Sequence, residues 1–240
     1  MTKVTYLDHS GFAVQMPDVV LVFDYYRDPS HALQKILEAN PQIPVVFFVS
    51  HRHEDHFNNS IFEIAQNHRR VYVMSNDVPA QEIPSTLEVA GMSAGDRVEG
   101  LPGGISVKAY PSTDTGVCFL VEASNGKKIF HAGDLNEWHW KDESDTKEVK
   151  HAEAAFKKAL DRISSENASV DIAMFPVDPR LGTDFGSGAM AFIEAVKTGH
   201  LFPMHFWGKR DEVKVFLSRI PEGLTTVDFI YTPGASVEIK

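Results

Sequence analysis

The chain has 240 residues, of which 43% are hydrophobic and 23% are charged, as is typical of globular proteins. Its formal net charge of -10 argues against a broad nucleic-acid-binding surface and against an anionic membrane, although bound cations would still permit an anionic substrate. The single cysteine, Cys118, excludes an internal disulfide and suits a reducing cytosol, and we expect no signal peptide. We therefore predict a cytoplasmic protein without a membrane partner.

The first half of the chain alternates short β-prone runs with turn residues, which predicts an antiparallel meander followed by α/β units. One helix is predicted to start at the N-cap Ser30 and to end at Ala39, and another covers Asn58–Asn67. The predicted strands are Lys3–Leu7, Phe12–Gln15, Val19–Phe23, Val45–Val49 and Val71–Met74.

The second half repeats this order, so the sequence predicts two similar halves, each with a sheet and with helices outside it. No linker or low-complexity segment interrupts the chain, and we therefore predict a single domain over residues 1–240. The predicted strands are Ile105–Ala109, Gly116–Glu122, Lys128–His131, Ile172–Phe175, Leu201–Met204, Asp228–Tyr231 and Ser236–Ile239. The predicted helices are Thr146–Ser164, Gly188–Lys197 and Asp211–Arg219.

The most informative motif is HRHEDH at residues 51–56, directly after a predicted buried strand. Imidazole nitrogens and carboxylate oxygens are the ligands that zinc and similar metals prefer. His51 and His53 lie two residues apart and point to the same side of an extended backbone. Asp55 and His56 follow where the chain turns, so they could reach a second, adjacent metal.

Two further polar residues follow predicted strands and could complete a metal site. Asp134 comes just after a strand and a glycine, and His205 ends another strand. Taken alone, Asp134 could be a turn or capping residue and His205 a core histidine. Together with the motif at residues 51–56, their position at strand ends favours metal binding, because ligand sites of α/β folds form there.

These residues make the chain resemble the metallo-β-lactamase superfamily of metal-dependent hydrolases. The residues that match, in the order of that family, are Asp24, the motif His51-x-His53-x-Asp55-His56, Asp134 and His205. The segments 9–12, 130–134 and 203–205 are most similar to the branch that includes ascorbate 6-phosphate lactonase-like and other small cytosolic hydrolases. The resemblance implies an α/β (α+β) fold, an αββα four-layer sandwich with its site at one edge.

The resemblance also implies the role of each matching residue. The implied cofactor is one or two divalent metal ions, with zinc favoured, and a metal-activated hydroxide would attack the substrate. Asp55 would also be a catalytic proton acceptor. Asp24 would hydrogen-bond to a ligand and orient it. His9, which lies in the first turn, is our own further candidate for such a supporting role. The implied ligands are His51 and His53 for the first metal, Asp55, His56 and His205 for the second, and Asp134 for both.

The chain departs from the family in one place. The family has a further histidine for the first metal, and the corresponding stretch here, Tyr110–Gly116, contains none. Three explanations are open: Asp114 supplies an oxygen ligand instead, the first position is weak and the protein holds one metal, or catalysis has been lost. A ligand set richer in oxygen would favour manganese or iron over zinc.

Two segments after predicted strands are candidates for binding substrate. Trp138 and His139 follow Asp134, although the alternative is a packed loop. Arg180 lies between two prolines and a glycine and could hold an anion with its planar guanidinium, although a surface ion pair is the alternative.

The leading hypothesis is therefore a hydrolase of a small ester, lactone or phosphoester, whose partner is a small-molecule substrate that can be anionic. One alternative is a catalytically degenerate metal-binding protein, which the missing histidine keeps open. A nuclease of the same superfamily is disfavoured by the acidic charge. The substrate, the metal and the oligomeric state do not follow from the sequence.

Overall fold

The computed structural model describes residues 1–240 and contains two seven-stranded sheets and four α-helices. The strands are β1 (Thr2–Asp8), β2 (Gly11–Gln15), β3 (Val20–Phe23), β4 (Val45–Val49), β5 (Arg70–Ser75), β6 (Val89–Met92), β7 (Arg97–Leu101), β8 (Ile105–Pro111), β9 (Val117–Glu122), β10 (Lys128–His131), β11 (Ser169–Pro176), β12 (Lys197–Met204), β13 (Thr226–Val227) and β14 (Ser236–Ile239). The helices are α1 (Ala32–Ala39), α2 (Thr146–Glu166), α3 (Ser187–Ala195) and α4 (Arg210–Leu217). None of the helices is both long and apolar enough to cross a membrane.

The first sheet has the order β14-β1-β2-β3-β4-β5-β6, and its two faces are both apolar. Along β4, Val46 and Phe48 point into the core between the sheets, while Val45, Phe47 and Val49 point to a smaller core under α1. This is the alternation of a strand buried on both faces. Continuous apolar runs such as β4 therefore indicate a covered sheet rather than an edge.

The second sheet has the order β13-β12-β11-β10-β9-β8-β7 and packs on the first through its inner face. Phe48 of the first sheet meets Phe119 of the second edge to face, with ring centroids 5.4 Å apart. On the outer face, Phe156 of α2 contacts Phe175, and Phe192 of α3 stacks on Phe130. The layers are thus helix, sheet, sheet, helix, and the predicted four-layer sandwich is confirmed.

The topology brings distant parts of the chain to one edge of the sandwich. In the first sheet β3 to β6 are parallel, and in the second sheet β10 to β13 are parallel. The chain leaves β3 at Asp24, β4 at Ser50, β10 at Ala132 and β12 at His205. Because the carboxyl ends of parallel strands lie on the same side of a sheet, these exits form one cluster of loops.

Two helix predictions in the first half are wrong in detail. Ser30 is not the N-cap of α1: that position belongs to His31 in a left-handed conformation, and the carboxylate of Asp28 instead accepts the Leu33 backbone N–H and the Ser30 hydroxyl. The predicted helix Asn58–Asn67 is reduced to one 3-10 turn. Ala65 has a φ of 57°, which ends any regular helix.

The edges of the sheets were also predicted incompletely. The predicted strand Asp228–Tyr231 lies beyond the actual edge strand β13, and Asp228 turns its carboxylate to Nδ1 of His200 at 2.7 Å. The strands β6 and β7 were not predicted, because most of their residues are exposed or half-buried and each strand contains a glycine. Edge strands carry little of the apolar alternation from which strands are predicted.

Candidate metal centre

The centre begins with Asp24, a fully buried carboxylate at the end of β3. One of its oxygens accepts the Ser50 backbone N–H at 2.7 Å, and the other accepts the Ser50 hydroxyl at 2.6 Å. The second oxygen also lies 2.7 Å from Nδ1 of His56. Asp24 therefore fastens the start of the loop at residues 50–56 to the neighbouring strand, and its acceptor capacity is used by protein groups.

These contacts fix the orientation of two histidine rings. An ionised carboxylate only accepts, so His56 donates from Nδ1 to Asp24, and when the ring is neutral its lone pair is on Nε2. The Ser50 hydroxyl gives its hydrogen to Asp24, so its oxygen accepts from Nδ1 of His51 at 3.0 Å. His51 thereby also keeps its Nε2 lone pair free. Oxygen partners behind Nδ1 are the usual arrangement for metal-binding histidines.

His205, at the end of β12, is oriented in the same way by a residue from another strand end. Its Nδ1 lies 3.0 Å from Asp178, which is fully buried. Asp178 also accepts two hydrogen bonds from the Arg180 guanidinium, from Nε at 2.9 Å and from Nη2 at 2.6 Å. The Nε2 atom of His205 consequently faces the inside of the cluster.

Asp134 lies between the histidines and is almost fully buried. Its Oδ1 is 3.0 Å from Nε2 of His56 and 3.4 Å from Nε2 of His205, while its Oδ2 is 3.3 Å from Nε2 of His51. Its two oxygens thus face two different groups of donors. We call the first the His205 position, made of His9, Asp55, His56 and His205 beside Oδ1, and the second the His51 position, made of His51 and His53 beside Oδ2.

Several donor atoms of the cluster are buried without a hydrogen-bond partner. A buried polar atom that lacks a partner costs about 1–3 kcal/mol, so such atoms are rare unless a ligand satisfies them. Imidazole nitrogen and carboxylate oxygen are the donor types that bind zinc, manganese or iron. The donor set therefore fits a divalent metal. The unpartnered atoms are Nε2 of His9, Nε2 of His51, Nε2 of His56 and Oδ1 of Asp134.

The pKa shifts in the cluster also favour a bound cation. Burial favours the neutral carboxyl group, yet His56 and His205 hold the pKa of Asp134 well below its ordinary value. Burial likewise favours a neutral ring at His56, but Asp134 and Asp24 raise its pKa well above the ordinary value. The carboxylates therefore stabilise a positive charge at the centre, which a bound divalent cation would supply.

His9 lies among the donor atoms of the cluster rather than only behind them. It lies in the turn between β1 and β2, and its Nε2 is 3.1 Å from a carboxylate oxygen of Asp55. This nitrogen is among the buried atoms without a hydrogen-bond partner. Its ring centroid lies 4.3 Å from that of His205 and 5.6 Å from that of His56.

The 110–116 loop approaches the His51 position without contributing a histidine. Asp114 lines the adjoining pocket but is exposed, and it belongs to none of the groups whose donor atoms lie within 4.8 Å of one another. Gly116 has a φ of 76°, and a Cβ there would lie 2.0 Å from the Ser50 carbonyl oxygen and 2.5 Å from Cβ of His51. The loop therefore contacts His51 with its backbone at residue 116, where no side chain would fit.

A pocket of ≈ 400 Å³ opens onto the cluster, and Asp55 and Asp134 form part of its wall. Trp138 lines it and donates from Nε1 to the Asp134 carbonyl oxygen at 2.6 Å. Arg180 also lines it, with its guanidinium stacked 4.6 Å from the ring centroid of Trp207. A larger pocket of ≈ 530 Å³ beside α1 contains none of the clustered donors, so size alone does not identify the site.

Two of the three candidate substrate-binding residues line the pocket. Trp138 and Arg180 line the pocket, whereas His139 does not, because its side chain is buried beside Glu137, 3.8 Å away. The wall also includes Trp140, whose indole lies in the candidate segment 134–140, and Trp207, which sequence reasoning did not assign to the site. Their positions depend on loop conformations, including a φ of 47° at Trp207, that have no signal in the sequence.

Sequence reasoning also missed two groups that support the ligands. Ser50 joins Asp24 to His51, and Asp178 holds His205. Each follows a predicted strand directly or by two residues, which is the one signal that could have indicated them.

Comparisons with known proteins extend over both sheets. A family model described as a β-lactamase superfamily domain matches residues 3–205. A UPF0173 metal-dependent hydrolase of Nanoarchaeum equitans is 24% identical over 216 residues, which cover 85% of this chain and 83% of the relative.

Solved structures share the fold. The metallo hydrolase Igni18 from Ignicoccus hospitalis superposes with a TM-score of 0.67 at 18% identity, covering 100% of this chain and 99% of that chain. CmlA, a diiron β-hydroxylase from Streptomyces venezuelae, superposes with a TM-score of 0.66 at 9% identity, covering 99% of this chain but 54% of that chain. At these identities the similarity shows a common fold.

Proposed function

The chain belongs to the β-lactamase superfamily, and on this basis we propose that it is a metal-dependent hydrolase that cleaves a small ester, lactone or phosphoester. The observation that carries the proposal is the convergence of four unpartnered, buried donor atoms from three separate loops beside one pocket. Buried donors that satisfy no protein group are retained at a cost in stability, which a bound metal removes. The N. equitans relative, a metal-dependent hydrolase, supports the same reaction class.

We assign the metal to the His205 and His51 positions, with Asp134 between them. A bound divalent metal supplies an activated water molecule at neutral pH and polarises the substrate oxygen. Asp24, Ser50 and Asp178 hold the imidazoles so that Nε2 faces inward. Zinc is the first candidate, since imidazole nitrogens dominate the donor set.

Asp55 is half-buried on the pocket wall, where it can both bind metal and receive a proton. Burial raises the pKa of its carboxyl group, but His9, His56 and His205 together hold that pKa below the ordinary value. A carboxylate with a low pKa is a weak base. We therefore assign Asp55 first to metal binding and second to proton transfer.

The pocket suits a small substrate with an anionic or polar group. Its volume of ≈ 400 Å³ lies in the range of small-molecule sites, roughly 300–1,000 Å³. Indoles of Trp138, Trp140 and Trp207 line it and offer apolar surface to the substrate. Arg180 uses Nε and Nη2 on Asp178, which leaves its Nη1 group to bind a phosphate or carboxylate.

The test is a substrate panel on protein loaded separately with zinc, manganese and iron(II). Nitrophenyl acetate, dihydrocoumarin and bis-nitrophenyl phosphate represent an ester, a lactone and a phosphodiester. We expect metal-dependent hydrolysis of at least one of them and its loss in Asp134→Asn, which changes a ligand facing both positions. Hydrolysis that persists at the same rate after chelation and in Asp134→Asn would contradict the proposal.

The second candidate is a metal-binding protein without hydrolytic activity. The absence of a histidine over Tyr110–Gly116 favours it, because the His51 position then has few ligands. Tight metal binding without turnover of any substrate class in the panel would support this alternative.

A further inference from the structure

We propose that His9 is itself a metal ligand, so that the His205 position binds its metal with three imidazoles and is the tighter of the two. This inference rests on the proposed metal dependence and goes beyond it, because it adds a ligand to the set that the family resemblance implies. It predicts that one metal binds before the other and identifies the residue responsible.

The geometry places the His9 nitrogen with the donors of that position. Nε2 of His9 and the donor atoms of Asp55, His56 and His205 all lie within 4.8 Å of one another, as they would around one ion. The residue is 6% exposed, and Nε2 has no hydrogen-bond partner. A buried ring whose Nε2 lacks a partner and lies beside a carboxylate and two imidazoles has the contacts of a ligand.

The backbone at His9 gives independent support. His9 has a φ of 54°, a left-handed conformation that glycine or asparagine adopts at lower cost than histidine. Its carbonyl oxygen accepts the backbone N–H of His205 at 3.3 Å, and His205 has a φ of 59°. Strained residues that face one another at a cluster of polar groups indicate that their side chains are needed there.

A hydrogen bond from His9 to Asp55 is the main alternative role. The 3.1 Å separation between Nε2 and the Asp55 carboxylate would allow it in the metal-free protein, and the zinc measurements below separate this role from metal ligation. Packing alone is the other alternative, since His9 and Trp207 have ring centroids 4.5 Å apart. Packing would be served equally by an apolar ring, which would not leave a polar nitrogen unsatisfied in a buried position.

The assignment makes the two metal positions unequal in their number of imidazoles. The His51 position has two imidazoles, of which His53 is exposed, and the His205 position gains a third from His9. Affinity follows ligand number and burial, so the His205 position should fill first.

The experiment compares His9→Asn with His31→Asn in the full-length protein. Asparagine tolerates a left-handed backbone and is too short to replace the ring at the metal. His31 is a matched control, because it is a histidine with a φ of 53° that belongs to none of the donor groups. Zinc affinity is measured on metal-free protein by competition with a chromophoric chelator.

We expect His9→Asn to weaken the first zinc by more than about 100-fold, above the 10–100-fold typical of losing a supporting hydrogen bond, while His31→Asn changes it less than threefold. Unchanged affinity in His9→Asn would overturn the inference and leave the proposed metal dependence intact. Failure of the unaltered protein to bind zinc, manganese or iron would instead overturn the proposed function.

A measurement on the unaltered protein covers the case in which His9→Asn does not fold. X-ray absorption of protein loaded with one equivalent of zinc reports the number of imidazoles around the ion. We expect three. Two imidazoles would overturn the assignment of His9, whatever the hydrolytic activity.

Discussion

The two metal positions share Asp134 but are built differently. The His205 position has donors from the β1–β2 turn, the motif loop and the end of β12, and three of its four residues are buried. The His51 position has His51 and an exposed His53, and the loop that approaches it offers backbone at Gly116. The difference shows that one family motif can support two metal positions of unequal affinity, because the remaining ligands come from other loops.

The largest expected effect comes from removing two ligands of the stronger position. His56→Ala with His205→Ala should abolish the first metal and remove its contribution to stability, which is about 2.7 kcal/mol when the metal is at 100 times its Kd. Metal content and thermal melting with and without zinc provide the measurement. His151→Ala, at an exposed histidine of α2, is the control, and unchanged metal content and melting in the double variant would contradict the assignment.

Asp24→Asn should weaken both positions, because Asp24 holds His56 directly and His51 through Ser50. We expect each metal to bind about 10–100-fold more weakly. Asp178→Asn, which supports only His205, should affect the His205 position alone. Titration of both variants with zinc measures this, and a selective loss at one position in Asp24→Asn would argue against a shared support.

His53→Ala should remove the weaker metal alone. Because His53 is exposed and belongs to the His51 position, we expect the metal-to-protein ratio at saturating zinc to fall from near two toward one. The affinity of the first metal should stay unchanged. Loss of the first metal in this variant would reverse the order of strength inferred for the two positions.

Substitutions at Asp114 test whether the 110–116 loop can supply a ligand to the weaker position. Since Asp114 is exposed and outside the donor groups, we expect Asp114→Ala to leave the metal-to-protein ratio unchanged. Asp114→His should raise occupancy of the second metal, because it restores an imidazole to the loop. A fall in the ratio for Asp114→Ala would show instead that this carboxylate is a ligand.

The last prediction concerns pH in the metal-free protein. Burial lowers the pKa of His9 from 6.5 to about 4. Between these values the unfolded chain binds a proton that the folded protein rejects, so the stability linked to His9 is present above pH 6.5 and is lost as the pH falls toward 4. His9→Asn should therefore flatten this decline, by an amount on the order of 1–3 kcal/mol. Urea unfolding across this range, compared with His31→Asn, provides the measurement, and parallel curves would contradict it.

The parts of the fold that could be predicted are those whose signal is local. The apolar run Val45–Val49 indicates a strand covered on both faces, and the motif after it indicates metal ligands, because both depend on neighbouring residues. Asp178 and His9 could not be assigned this way. Their roles depend on which strands become neighbours and on a left-handed turn at His9. The Asn58–Asn67 prediction failed for a related reason, since the Arg70 guanidinium binds the carbonyl oxygens of Phe62 and Ile64 and holds the segment as turns.

The contact between the β1–β2 turn and the end of β12 has a topological consequence. His9 and His205 stand near opposite ends of the chain, so an ion held by both closes a loop of roughly 200 residues. Such a cross-link restricts the unfolded chain more than one between near neighbours, because the entropy of loop closure rises with loop length. It also ties the terminal hairpin of one sheet to the other sheet. Chelation should therefore allow the N-terminal hairpin to fray before the middle of the chain opens, in an order that hydrogen exchange can record.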